Sequence, residues 1–396
     1  MSKIEDMLAR LCPHGVEVKR VDEICNISRG KVMSKDYIQA NVGIYPVYSS
    51  QTENNGELGR ISSYDYDGEY LTWTTDGANA GSVFYRDGKF SITNVCGLLK
   101  INSEEILTRY IFHILQVEAP KYVNKGMGNP KLMSNVMARI KLAVPPLEVQ
   151  REIVRVLDSF TLLTAELTAE LTARQKQYNE YLNLLIENGH FESSCTKKLG
   201  DLFDFRNGLS KGKDFFGSGI PFIRYTDVYN NRVIKKNDIV ALVECTKSEI
   251  EKLSVKRGDV LFTRTSETAE DVGWSAVMLD DIDECVFNGF CIKATPKTKD
   301  LLPEYCAYCF ATHSFRQFVT SHCAFTTRAS LTGKTIAEYE MIIPTIEEQK
   351  RIVNILDKLY ELCNDLNSGI PAEIVARNKQ YEYYRTKLLD FKELSA

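Results

Sequence analysis

Two stretches of the chain carry residue types that could do chemistry. Cys306 and Cys309 stand in Cys-x-x-Cys spacing, with His313, His322 and Cys323 close behind. Thiolates and imidazoles so spaced could hold tetrahedral zinc, but the second matched pair of a closed site is missing. Residues 332–335 read TGKT, the tail of a phosphate-binding loop. That loop also needs a glycine ahead of four spacer residues, and Arg328 occupies the position. Neither motif is complete. The sequence has no GxSxG elbow, no HExxH and no glycine fingerprint after a strand, and its five histidines do not converge. No catalytic residue and no metal ligand is expected.

The elements that would position any functional residue are written twice. PPLEVQREIVRVLD at 145–158 returns as PTIEEQKRIVNILD at 344–357. RQKQY from Arg174 faces RNKQY from Arg377, with Tyr178 on Tyr381 and Tyr181 on Tyr384. Upstream, VDEICNISRG ending at Gly30 matches LGDLFDFRNG ending at Gly208, and YPVYS at Tyr45 answers IPFIR at Ile220. GEYLTWTTDGA from Gly68 answers GDVLFTRTSET from Gly258. A colinear series of matches with drifting spacing is the mark of a tandem duplication with loop insertions. The duplication also tests the cysteines. Tyr110 answers Tyr305, so Ile111 and Ile114 stand opposite Cys306 and Cys309. Aliphatic counterparts read as a buried helix face, where free Cys behaves as a small hydrophobe.

Each copy reads as short β-rich runs between Gly and Asp turns, then a helix, then a proline-led long helix. Ile153, Leu157, Phe160, Thr164, Leu167, Leu171, Arg174, Tyr178, Tyr181 and Leu185 alternate in steps of four and three, a heptad seam. Roughly 40 helical residues would make a rod of about 60 Å. The second seam runs Ile352, Leu356, Leu359, Cys363 and Leu366, breaks at NSGIP, and resumes through Ile374, Arg377, Tyr381, Tyr384, Leu388 and Phe391. The expected architecture is α+β: a globular β-rich domain at 1–146, a spacer helix at 147–195, a second domain at 196–344, and a helical segment at 345–396 broken near 367–371. The two helices are expected to pack as an antiparallel coiled coil with pseudo-two-fold symmetry. Gln150, Ile153, Leu157, Phe160, Tyr178 and Tyr181, with Gln349, Ile352, Leu356, Tyr381 and Tyr384, are the expected helix–helix or partner-docking residues. A net charge of −4 and 11 scattered cysteines fit a cytoplasmic protein with reduced thiols. The charged N-terminus lacks the apolar region of a signal peptide.

Two globular domains, each followed by a Pro–Leu/Ile–Glu…Gln…Ile-Val…Leu-Asp helix start, resemble the specificity subunit of a Type I DNA restriction–modification system, over essentially the whole chain. Val149 and Thr345 depart from the commoner residues of that signature. The resemblance implies that each head is a target-recognition domain for one half of a split DNA site. It implies helices that set the gap and dock two methyltransferase subunits, with restriction subunits joining them on double-stranded DNA. No Asn-Pro-Pro-aromatic methyltransferase motif occurs, so S-adenosylmethionine is expected in the partner and no cofactor in this chain. An acidic chain can bind DNA if partners supply much of the phosphate clamp. Two alternatives stay open: a coiled-coil scaffold whose heads bind proteins, and a hydrolase in one of the β-rich heads, which would need a pocket with perturbed carboxylates.

Base reading uses Arg or Lys on guanine, Asn or Gln on adenine, and Ser or Thr on either. In the first head the candidate loops supply Ser50, Gln51, Asn54, Thr74, Thr75, Asn79, Lys125, Asn129 and Lys131. In the second they supply Arg206, Asn207, Lys211, Lys213, Arg224, Arg264, Thr265, Thr327, Arg328 and Lys334. TTDGA against RTSET, at one place in the repeat, is the pair whose donor pattern differs most usefully.

Overall fold

The computed structural model describes residues 2–126, 128–187, 194–365 and 367–394. They form two compact units, one of residues 1–168 with 373–396, the other of residues 169–372. Each unit therefore holds one head, the start of the helix that follows that head, and the end of the other long helix.

In the first unit, Cys25–Arg29, Cys96–Ile101, Tyr70–Thr74 and Val83–Arg86 form an antiparallel sheet in that order. A second sheet runs Glu57–Ile61, Val42–Tyr48, Lys89–Ile92, Tyr66–Asp67, with its middle pair parallel. The second unit repeats the order: Phe203–Asn207, Cys291–Pro296, Val260–Thr263, Ser275–Met278, then Val233–Ile234 at the edge. Its partner sheet has three strands, Leu242–Val243, Phe216–Ile223 and Val286–Phe287, and again holds one parallel pair, the last two. Gly30 and Gly208 end the matching first strands for one reason. A Cβ at either would lie 2.1 Å from the carbonyl oxygen of Ile92 or Asn288, inside van der Waals contact.

The repeated Pro…Gln start is an internal clamp. Gln150 Oε1 accepts from Leu107 N at 2.9 Å, and its Nε2 donates to Glu105 O at 3.0 Å and Pro145 O at 2.8 Å. Gln349 does the same with Leu302 N at 2.9 Å, Asp300 O at 2.7 Å and Pro344 O at 2.9 Å. Both are fully buried. This corrects the expectation that they dock partners, since every polar atom of each amide is already used inside its own unit. A proline does not open the second long helix: Pro344 ends the strand Glu340–Pro344, and Thr345 caps the helix by accepting from Glu348 N at 3.3 Å.

The long helix Leu147–Glu187 spans 41 residues. Residues 188–193, within the expected spacer, lie outside the described residues, and Ser194 and Cys195 open the strand Ser194–Lys198 instead of ending a helix. The second copy is broken as expected, Ile346–Asn364 and then Ile370–Leu388; Leu366 lies outside the described residues. In the first unit Ile153 and Leu157 join the core of Tyr110, Ile114, Leu388 and Leu389, and Phe160 stacks on Tyr384 at 5.4 Å. In the second unit Ile352 and Leu356 join the core of Tyr305, Cys306 and Cys309, and Tyr178 meets Tyr360 edge-on at 5.9 Å. The start of one helix thus lies against the end of the other within each unit, an antiparallel pairing. Beyond Tyr178 the buried stripe continues through Leu182 and Ile186, while Tyr181 is 41 % exposed. An α-helix turns every 3.6 residues, so a 3.5-residue seam drifts off its face, and Tyr181 lies at the edge of the buried stripe.

The repeated Leu-Asp ends in the same place with different partners. Asp158 accepts from Arg109 Nε at 3.0 Å and pairs with His113 Nε2 at 2.9 Å. Asp357 accepts from the Tyr308 hydroxyl and lies 3.6 Å from Arg232. Tyr381 closes the far side of His113, its hydroxyl 3.2 Å from Nδ1. Burial holds the His113 imidazole below its ordinary value against the pull of Asp158, and Arg109 and Arg385 add to the depression. The unfolded chain therefore binds this proton first as pH falls. The first unit is expected to lose stability below about pH 6.5, the ordinary histidine value, until pH passes the folded value. Each kcal/mol lost lowers the melting temperature by about 2–4 °C for a unit of this size. Calorimetry of His113→Tyr should show that slope flattened; an unchanged slope refutes the assignment.

Candidate nucleic-acid interface

In the second unit a groove of about 570 Å³ is lined by Arg206, Asn207, Arg264 and Lys334 together with Asp204, Phe205 and Gly333. Four of the expected DNA contacts, separated in sequence by up to a third of the chain, are thus brought to one place. Arg206 Nη1 donates to Lys252 O at 3.3 Å. Arg264 is half-buried, fixed by its backbone: its N–H donates to Phe290 O at 2.7 Å and its carbonyl accepts from Leu331 N at 2.9 Å. A smaller hollow beside it is lined by Tyr225, Thr265, Ser266, Phe290 and Arg328. The strand Thr265–Ser266 pairs with Ala329–Ser330, which pairs with Ala324–Phe325, so exposed Thr327 and Arg328 form the turn of that hairpin.

Lys211 of the second head is not available as expected, Arg224 is engaged by a neighbouring carboxylate, and Lys213 lies apart from the groove. Lys211 is tied to Glu249 at 2.8 Å and donates to Glu244 O at 2.7 Å, which leaves its side chain only 12 % exposed. The Lys211 hydrogen bond and those of Thr246 hold the Glu249 carboxyl down at about 2. Arg224 forks onto Asp227 with contacts of 2.6–3.1 Å and fastens the start of the helix Tyr225–Asn230. Lys213 is exposed but sits in the short helix Lys213–Phe215, outside both hollows.

In the first unit three candidate loops meet. Asn79 Nδ2 donates to Thr52 Oγ1 at 2.9 Å, joining 74–80 to 49–56. Asp76 bridges Lys131 by backbone pairing and by a 3.7 Å ion pair, joining 74–80 to 124–131. Asn54, Lys125, Asn129 and Lys131 are exposed on this surface, with Ser50 and Gln51 half-buried behind them; the Gln51 amide is spent on Glu57 O. Thr74 and Thr75 are corrections. Both are buried, the Thr74 hydroxyl donating to Asn79 O and Thr75 Oγ1 to Val95 O at 2.9 Å.

The repeat register at this point also differs by one residue from the sequence match. Thr75 N donates to Val95 O at 3.3 Å and its carbonyl accepts from Leu132 N at 3.0 Å, the pattern of Arg264 with Phe290 and Leu331. Thr74 Oγ1 accepts from Ser82 N at 3.0 Å as Thr263 Oγ1 accepts from Trp274 N at 2.9 Å. Arg264 therefore stands where the first head has Thr75, not Thr74. The sequence match was drawn by a shared leucine, yet Leu71 lies in the core with Tyr110 and Leu261 lies on the opposite face of its sheet, with Ile223 and Phe287. A one-residue slip in a strand exchanges its faces. In strand register Asn207 stands where the first head has Arg29, because they face Ile292 and Gly97 in matching ladders. Arg29 is exposed and was passed over in the sequence, although the match of the segments ending at Gly30 and Gly208 already aligned it with Asn207.

Cys306 and Cys309 are buried in the core of the second unit, their helix face packed as the duplication implied. Burial pushes the Cys306 thiol up to about 12.

Comparison with known proteins bears on the whole chain. The family model of the Type I restriction modification DNA specificity domain matches residues 13–174 and again 192–376. A Mycoplasma pneumoniae chain carried under the name of a type I specificity subunit is 34 % identical over 96 % of this chain and 98 % of its own length. A chain from a structure of an assembling type I restriction–modification system superposes with TM-score 0.59 at 15 % identity, covering 95 % and 97 % of the two chains. The S subunit from M. genitalium gives 0.51 at 14 % identity, covering 94 % and 96 %. At such identities the structural likeness speaks for the fold.

Proposed function

Since this chain belongs to the family of Type I restriction–modification DNA specificity proteins, we propose that its two heads read unlike halves of one split DNA site. The long helices set the distance between the halves and carry two methyltransferase subunits; restriction subunits join through these. The chain itself performs no catalysis, and S-adenosylmethionine belongs to the partner. The setting is the cytoplasm; among the described residues no helix is long and apolar enough to cross a membrane.

The observation that carries this reading is the contrast at one strand end. A buried threonine hydroxyl, Thr75, and an arginine aimed into a basic groove, Arg264, occupy the same place in two copies of one fold. A duplicated scaffold that presents a donor at this position in one head and buries it in the other suits two unlike half-sites. Protein-binding heads on a scaffold would have no need of a groove with Arg206, Arg264 and Lys334 on its wall.

Arg264→Ala, in the chain assembled with its methyltransferase subunits, is expected to cost about 1–3 kcal/mol and relax preference at one base pair of one half-site. Lys334→Ala should weaken binding to all sequences alike. Binding to a library randomised over each half-site reads both. Loss of affinity with unchanged preference in Arg264→Ala would leave it a backbone contact, and no DNA binding by any form of the complex would favour the scaffold.

A further inference from the structure

Arg86, on the strand Val83–Arg86 of the first head, is 3 % exposed. Its Nε donates to Thr72 Oγ1 at 3.0 Å, while both terminal nitrogens have no hydrogen-bond partner among the described residues. The guanidinium lies 3.6 Å above the Tyr48 ring and 4.7 Å from that of Phe84. Burial depresses its proton affinity, which the charge and hydroxyl of Tyr48, Cys96 and Glu57 only partly oppose. By contrast, the buried Lys293 of the second unit has its carboxylate, Asp259, at 3.3 Å.

An unpaired buried cation is costly, and this fold does not need one. Thr72 faces Phe84 as Leu261 faces Ala276, so Arg86 stands where the second head has Met278. Met278 is fully buried. An apolar side chain therefore completes the same sheet without any charge.

What lies over Arg86 is the loop 49–57. Gly56, at φ +80°, closes on it so tightly that a Cβ would lie 3.0 Å from Nη2 and 3.2 Å from Gln51 O. Asn54 and Asn55 stand at φ 47° and 53°, left-handed positions that non-glycine residues rarely adopt. The loop is fastened by Ser49 N to Gly56 O at 2.9 Å, Thr93 Oγ1 to Ser49 Oγ at 3.2 Å, Gln51 to Glu57 O, Glu57 N to Asn54 O, and Thr52 to Asn79 at 2.9 Å, with Glu57 held by Arg60 at its far end. It belongs to the same polar surface as Asn79 and Lys131.

We propose that Arg86 is a phosphate-binding residue of the first head: on contact with DNA the loop 49–57 shifts, and the two free edges of the guanidinium take one backbone phosphate. A phosphate rather than a base edge is the fit, because only an anion compensates the buried charge and matches the guanidinium fork. Thr72 and the two rings hold that fork in one orientation. The inference rests on the reading of the first head as a DNA reader.

The test uses Arg86→Met, which installs the second head's own residue, and Arg86→Lys, both in the full chain assembled with its methyltransferase subunits. Arg86→Met should melt at or above the parent temperature and bind every DNA sequence about 10-fold more weakly, with the slope of log affinity against log salt smaller by about one. Arg86→Lys should keep the slope. A lowered melting temperature with the slope unchanged would make Arg86 a structural residue and overturn the proposal. So would no change in either quantity, or a loss confined to one base pair. Arg264→Ala, measured alongside, separates the two failures: if it relaxes one base pair while Arg86→Met leaves the slope intact, only the Arg86 assignment falls.

Discussion

Gln349→Ala lowers the stability of the second unit by about 1–3 kcal/mol, and Gln150→Ala does the same to the first. Each truncation strands one buried carbonyl, of Pro145 or Pro344, and a partly buried N–H and carbonyl beside it, and an unsatisfied buried group costs about 1–3 kcal/mol. No solvent reaches either amide, since both side chains are fully buried. The loss is local: among the described residues the Gln150 side chain bonds Leu107, Glu105 and Pro145, and the Gln349 side chain Leu302, Asp300 and Pro344. The two substitutions share no partner, so their costs should add. Denaturant unfolding of the single and double variants measures this. A Gln349→Ala change within about 0.5 kcal/mol, the scale of an ordinary surface substitution, would mean that the glutamine does not clamp its helix start.

Exchanging the reading surface of the first head for a relative's should replace one half of the recognised DNA sequence and leave the other half intact. The preference for the original first half is expected to fall by about 10³-fold or more, the usual gap between specific and non-specific binding. The boundaries of the exchange follow from the core. Cutting at 146 would separate Tyr110, Ile111 and Ile114 from Ile153, Leu157, Leu388 and Leu389, which pack together. It would also sever Arg109 and His113 from Asp158 and Tyr381. An exchange of residues 25–101 with 123–132 moves both sheets and all three loops and keeps the helix Thr108–Glu118 in place. Methylation mapping in cells carrying the exchanged chain and its partner subunits reads both halves at once. If both halves changed, or if the original sequence were merely bound more weakly, the division of labour between the heads would be wrong.

Several features were determined by the sequence alone. The doubled body plan is local information: proline, glutamine and a Leu-Asp step at fixed spacing, and apolar residues at helical period, survive loop insertions. Gly30 and Gly208 were legible for the same reason, because no other residue fits a backbone approach as close as theirs. The break between Asn364 and Ile370 follows from Gly369 and Pro371, which act on their own stretch of chain. Only the tertiary structure decided what depends on partners distant in sequence. Nothing local distinguishes Thr75, hidden against Val95, from Asn79 on the surface; both are polar residues in one turn. Lys211 looks like a free cation until Glu249 and Glu244 arrive beside it. Glutamine at 150 and 349 reads as surface until the loop before the neighbouring helix folds over it. The strand register is the sharpest case, since identity favoured pairing Leu71 with Leu261 while burial on opposite faces forbade it. A sequence records which residues are apolar, but the side of the sheet they face is set by what packs there.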